Sequence, residues 1–190
     1  MNQTVVNILE KLKGKTVALF VDEANIFYSQ KALGWRIEWK RACDFLKDRC
    51  TLSSSRYYMG MPLDKNQYER NVIVKDRLQK CGFEIVTKPL KKIYIDSEKK
   101  RAIYKCNFDV EITRDVIRTL DNTDVVLVAS SDSDFIGLRN DVLAHNKGFM
   151  FLCFEQNVAW EIRRSHHIFF EDIREYVEYV KIKNPEENSG

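Results

Sequence analysis

Two stretches of this chain are nearly unbroken apolar runs, "TVALFV" (16–21), polar only at its leading threonine, and "VVLVA" (125–129). A strand with one wet face alternates apolar and polar residues. An unbroken β-branched run instead belongs to a strand covered on both faces, in the middle of a mostly parallel sheet. The segments between supply the covering helices. Apolar residues recur at 5, 8, 9 and 12 and again at 39, 42, 45 and 46, a helical spacing. "DKNQYERNVIVKDRLQKCG" (64–82), "DVEITRDVIRTL" (109–120) and "DFIGLRNDVLAHNKG" (134–148) have the same character, the first and last closed by glycine. Further strands are expected at 52–61, 83–88 and 149–154, with a hairpin around a polar turn within 91–106, and helical stretches are expected after residue 154 to about Lys183. Strands alternating with helices predict a doubly wound α/β fold with right-handed crossovers and strand order 3-2-1-4-5.

At 190 residues the chain is read as one domain over 1–183, with "NPEENSG" (184–190) as a disordered tail. No apolar run approaches a membrane span, and residues 2–13 are too polar for a signal peptide, so a cytoplasmic protein is expected. The five cysteines include no C-x-x-C pair, which argues against both a zinc cluster and a disulfide framework. Net charge is +3, so a polyanionic partner is permitted but must be argued from where the cations lie.

Both apolar runs end at acids. Asp22 follows the first, and Asp132 and Asp134 follow the second. Open α/β sheets bind ligands at the carboxyl ends of their strands, near the point where the strand order reverses. In the expected order those two ends are adjacent, and Asp109, opening the helix that feeds the fourth strand, is placed to face the same crevice. Asp115, six residues on, is rotated more than half a turn from Asp109 and pairs more naturally with Arg118 on an exposed face. Taken singly, Asp22, Asp109 and Ser133 are ordinary helix caps. Taken together they make a carboxylate cluster whose mutual repulsion a cation would relieve. An oxygen-only donor set suits Mg²⁺ or Mn²⁺, which can activate water against a phosphodiester. The histidines (145, 166, 167) have no competing ligand spacing.

"VALFVDEANIFYS", "NFDVEITRDVI" and "VVLVASSDSDFIGL", followed by "NKGFMFLCF", resemble the motif series of NYN domains of the LabA-like group, within the PIN-like nuclease superfamily. The resemblance spans roughly 15–172 and keeps the motifs in order. It implies a Rossmann-like, three-layer PIN-like fold and metal-dependent cleavage of RNA. It places functional residues at Asp22, Asn25, Asp109, Asp115, Asp132 and Asp134, with Asp22, Asp109 and Asp132 holding Mg²⁺ or Mn²⁺. The chain departs from the family pattern at Glu23-Ala24, where Gly-Ser is common, and at Ser131, where Gly is usual. Glu23 is read first as a helix first-turn charge and second as an extra ligand.

For the substrate, the hairpin segment carries Lys88, Lys91, Lys92 and Lys105 among tyrosines, which suits single-stranded RNA. A lysine-guarded edge hairpin is an equally good account of these residues. Trp35 and Trp39 are expected to pack in the core, and Arg163 and Arg164 to be exposed helix charges. The resulting expectation is a metal-dependent ribonuclease, endonuclease rather than exonuclease. The alternative is a non-catalytic RNA-binding or protein-interaction module keeping the fold. Homodimerisation is left open.

Overall fold

A computed structural model describes residues 1–96, 101–156 and 158–180. The expected hairpin tip at 97–100 and tail at 184–190 lie outside the described residues. The elements run α1 (Gln3–Glu10), β1 (Thr16–Asp22), α2 (Glu23–Leu33), α3 (Trp39–Lys47), β2 (Thr51–Met61), α4 (Lys65–Lys80) and β3 (Glu84–Pro89). A hairpin follows, β4 (Lys91–Asp96) and β5 (Arg101–Lys105), then α5 (Asp109–Thr119), β6 (Val125–Ala129), α6 (Phe135–Ala144) and β7 (Gly148–Cys153). The last elements are α7 (Trp160–Arg163), β8 (His167–Phe169) and α8 (Arg174–Val177).

Six strands form one sheet in the order β3-β2-β1-β6-β7-β8, and every neighbouring pair is parallel. The strand order therefore reverses between β1 and β6, as the two apolar runs imply. The reason for their unbroken hydrophobicity is visible in the packing. Val17, Leu19 and Val21 join Leu127 and Ala129 in one core, with Ile26, Phe45 and Leu78 from α2, α3 and α4. Ala18 and Phe20 join Val126 and Val128 in a second core, with Ile112 and Val116 from α5 and Phe135, Leu138 and Val142 from α6. Alternate residues of each strand thus enter opposite layers, giving a three-layer α/β/α molecule. Trp35 and Trp39 are buried in the first core, as expected, with Trp39 edge-on to Tyr57 and Phe83.

Local signals fix the helix ends. Asn2 accepts the Val5 N–H at 2.9 Å to cap α1, and Asp64 accepts the Gln67 N–H at 3.0 Å to cap α4. Gly34 closes α2 with φ +73°, a conformation that favours glycine. The hairpin forms its own two-stranded antiparallel sheet, pairing Lys91 with Lys105.

The chain after β7 departs from the helical expectation. β8 adds a sixth parallel strand, and the helices around it, α7 and α8, are four residues each. Three residues on a sheet edge are too few to display alternation, so the two helical turns on either side dominate the sequence pattern. The five cysteines are free, and burial pushes the Cys43 and Cys153 thiols up to about 12. No helix among the described residues is long and apolar enough to cross a membrane.

Candidate functional site

Parallel pairing of Val21 with Ala129 brings the next residues, Asp22 and Ser130, side by side at the carboxyl ends of β1 and β6. Ser130 is completely buried. Its hydroxyl donates to Asp22 Oδ2 at 3.3 Å and accepts the Asp132 N–H at 3.2 Å. Asn25, in the first turn of α2, accepts the Ser131 N–H on Oδ1 at 2.9 Å. The loop after β6 is therefore tied to the β1–α2 corner at two points. Asp132 Oδ1 accepts the Asp134 N–H at 2.9 Å, closing the turn into α6. The expected cap, Ser133, is exposed and makes no cap bond, because the Asp132 carboxylate already holds that turn. Asp134 is exposed at the N-cap position of α6.

Asp109 opens α5 and is bracketed by Asn107, which donates from Nδ2 to Asp109 Oδ2 at 2.6 Å and accepts the Asp109 N–H on Oδ1 at 2.7 Å. An Asx-type ring of this kind fixes the carboxylate without using it up.

Burial raises the Asp22 pKa to about 6. The Asn25 N–H and the Ser130 hydroxyl oppose that rise, while the charges of Asp109 and Asp132 add to it. Asp22 sits at the N-cap position of α2 but makes no cap bond of good geometry, so its carboxylate is not spent on ending the helix. The carboxylates of α5 and of the loop after β6 thus both act on the one at the end of β1. Glu23 occupies the first turn of α2 as expected, but it is partly buried, and desolvation first, then the Asp22 charge, raises its pKa to about 7.

Asp115 is placed differently from the exposed pairing expected of it. Only 5% exposed, it accepts the Tyr58 hydroxyl at 3.0 Å and pairs with Arg114 at 2.8 Å and Arg56 at 3.7 Å, not with Arg118. The face of α5 that carries Ile112 and Val116 into the core carries Asp115 with them, and burial selects partners the helix surface could not offer. Its oxygens are engaged by these groups.

The oxygen-only donor set and the unrelieved like charge on Asp22 fit a hard divalent cation. Among the described residues, however, no three His, Cys, Asp or Glu side chains are already gathered at ligating spacing. Ser131, a departure from the motif series that the sequence resembles, does not require a left-handed backbone, since Asn146 is the one non-glycine residue described with positive φ. Its hydroxyl is buried without a hydrogen-bond partner among the described residues.

The candidate cations divide. Lys88 is committed: its Nζ lies 2.5 Å from Glu111 Oε1 and donates to Asn107 O at 3.2 Å, tying β3 to the start of α5. Lys91, Lys92 and Lys105 stand exposed on the hairpin. Arg163 pairs with Glu155 at 3.2 Å, and Arg164 stacks on Trp160 at 4.9 Å, so both are occupied at the surface. Sequence reasoning missed the fastening roles of Ser130 and Asn107. Asn107 had a readable signal, an asparagine two residues ahead of a helix-opening aspartate.

The NYN domain profile matches residues 16–173. The chain is 27% identical over 172 residues to the Low amplitude and bright protein LabA of Synechococcus elongatus, covering 90% of each chain. In three dimensions it is similar to a protein of unknown function from Vibrio parahaemolyticus, with TM-score 0.67, 20% identity, and coverage of 86% of this chain and 96% of that one. The last likeness concerns the fold alone. The profile match takes in β1 through the turn after β8, and with it every acid of the cleft: the chain belongs to the NYN domain family.

Proposed function

We propose that this NYN domain is a metal-dependent ribonuclease, with Asp22, Asp109 and Asp132 holding Mg²⁺ or Mn²⁺. The observation that carries the reading is Asp22, partly buried at the strand-order reversal and pushed up in pKa by burial together with two neighbouring carboxylates. A structural carboxylate in that position would be expected to have a cation partner or a well-formed cap bond, and among the described residues Asp22 has no ion pair and makes no cap bond of good geometry. When bound, the ion supplies a Lewis acid for a phosphate oxygen and an activated water.

The chain's own groups prepare the place. Ser130 holds Asp22 and the Asp132 backbone at a fixed separation, and Asn25 fastens the loop between them. Asn107 aims Asp109. Asp134, exposed in the turn that Asp132 closes, orients water or the incoming strand. Asp115 sets the packing of α5 against β2 through Tyr58, which makes it a positioning residue for Asp109 rather than a ligand. The test is cleavage of single-stranded RNA by the purified protein with Mn²⁺. Wild type is expected to cleave internally, and Asp22→Asn and Asp132→Asn to lose activity while keeping the folded circular dichroism spectrum. Equal cleavage by both variants would end the proposal.

One observation favours the second reading, a binding module without catalysis: the carboxylates are not pre-gathered at ligand spacing among the described residues. That reading expects chelator-insensitive RNA binding and no cleavage at any metal concentration.

A further inference from the structure

Beside the acids lies a cavity of about 620 Å³, bounded by α2, the end of β2, the start of α4 and β5. That is within the range of small-ligand pockets, roughly 300–1,000 Å³. Its walls are aromatic and unusually open to solvent: Phe27 is 48% exposed, Tyr28 61% and Tyr104 50%. Phe27 and Tyr28 meet edge to face at 5.6 Å, which holds two ring planes of α2 at a fixed angle. The floor is apolar and rigid. Gly60 packs so tightly beneath Leu90 that an added Cβ would clash with that side chain, at 2.9 Å from its Cγ and 3.4 Å from Cys106 Cβ. The rim is polar and cationic, with Asn71 fixed by donating to Gly60 O at 3.2 Å, and Arg70 and Lys105 beside it.

The position ties the cavity to the acids. Glu23 and Phe108, both in its lining, are the residues next to Asp22 and Asp109, and Tyr58, also in its lining, is paired with Asp22 in the sheet register. A strand whose phosphate reached the acids would have its neighbouring nucleotide at the mouth of this cavity. Exposed ring planes above an apolar floor, with amide and guanidinium groups at the edge, suit a flat heteroaromatic group bearing polar edges and joined to a phosphate. A purely aliphatic ligand would leave the Asn71, Arg70 and Lys105 rim unmatched.

From this juxtaposition we infer that the cavity is a nucleobase subsite: it takes one unstacked base of an RNA strand, from the nucleotide adjoining the phosphate held at the acids. The inference rests on the RNA reading of the cleft and adds a register to it. Tyr28 and Tyr104 provide the stacking surfaces, and Lys105 with Arg70 the phosphate contacts on the outer side.

The test separates this subsite from catalysis by working in Ca²⁺, a hard oxygen-seeking cation that can seat a phosphate at the acids, in place of the Mn²⁺ used for cleavage. A fluorescein-labelled decamer oligoadenylate is titrated against the protein by anisotropy, alone and with a single abasic ribonucleotide moved through each position. Wild type is expected to lose about tenfold in affinity when the abasic site occupies one particular register, and far less elsewhere. Tyr28→Ala and Tyr104→Ala, exposed enough to leave the thermal melt unchanged, should each weaken the intact decamer by a similar factor and remove the abasic effect. An abasic penalty that is the same at every position, one that survives in both variants, or no binding of the decamer would each overturn the inference. Free 5′-AMP should compete only at far higher concentration than the decamer; AMP binding as tightly as the decamer would reassign the cavity to a free nucleotide. Cleavage with Mn²⁺ is read on the same proteins. A register-specific abasic effect without cleavage would retain the subsite and remove the nuclease, and cleavage without that effect would do the reverse.

Discussion

Asp22 shows how a single residue records a purpose the fold does not need. Its pKa is raised from 3.8 to about 6, chiefly by burial, so the charged form is strained at neutral pH. A carboxylate raised in the folded state contributes stability that is fully present below its unfolded pKa and is lost as pH climbs through the folded value. Here that window runs from about pH 4 to 6. In metal-free protein at pH 8, Asp22→Asn should therefore stabilise, on the order of 2 kcal/mol, or roughly 5 °C in melting temperature. The gain should shrink towards zero near pH 4. Melting curves in chelator across that range check it, and destabilisation at pH 8 would show that the buried charge is structurally wanted. Asp115 is the opposite case. It is buried too, but Tyr58, Arg114 and Arg56 surround it, so removing its charge orphans partners. Asp115→Ala should cost about 3 kcal/mol in denaturant unfolding, as breaking a buried pair does. The sequence shows both aspartates, and only the fold reveals which is strained and which is satisfied. The helix period puts Asp109 and Asp115 on different faces, but it carries no information about Tyr58 on β2 waiting across the layer.

At the level of elements, what the sequence made legible follows from pattern length. β1 and β6 each offer five or more consecutive apolar residues, enough to mark them as the sheet centre and to locate the cleft at their ends. β8 offers three residues, flanked by two helical turns, and a period-2 signal cannot be read over so short a span. The hairpin was legible as a hairpin, yet its docking was not, because that depends on one close approach. Gly60, inside β2, has no Cβ, and Leu90 between β3 and β4 fills the space. Gly60→Ala must push Leu90 away, since sheet backbone lies on the other side of the contact. The expected result is a loss of about 1–3 kcal/mol from overpacking. Faster hydrogen exchange in residues 90–93 should accompany it, with β1 and β6 unaffected. Unchanged exchange there would mean that the hairpin is held by something other than this contact.

Across the whole molecule, the charge balance of +3 is too small to draw RNA by net field, so affinity must come from the few cations placed beside the cleft. Of the four lysines singled out in the sequence, Lys88 is spent on Glu111, whose carboxyl it holds below its usual pKa, while Lys91 and Lys105 are exposed on the hairpin and Arg70 is exposed beside the cavity. Each phosphate contact to a single strand contributes a slope of about −0.7 to log affinity against log salt. Three such contacts give a total near −2, a shallow dependence for a nucleic-acid binder. Lys105→Ala should flatten the slope by about 0.7 and weaken all sequences alike. Lys88→Ala should leave the slope unchanged and instead lower the melting temperature, because it detaches β3 from the start of α5 and frees Asn107, the residue that aims Asp109. That stability loss has a pH signature with a definite sign. Glu111 is depressed in the folded state, chiefly by Lys88, so the contribution is present above pH 4.5 and disappears as pH falls below it. A Lys88→Ala slope that flattens like that of Lys105→Ala would place Lys88 on the RNA after all, and would require the Glu111 pair to open on binding.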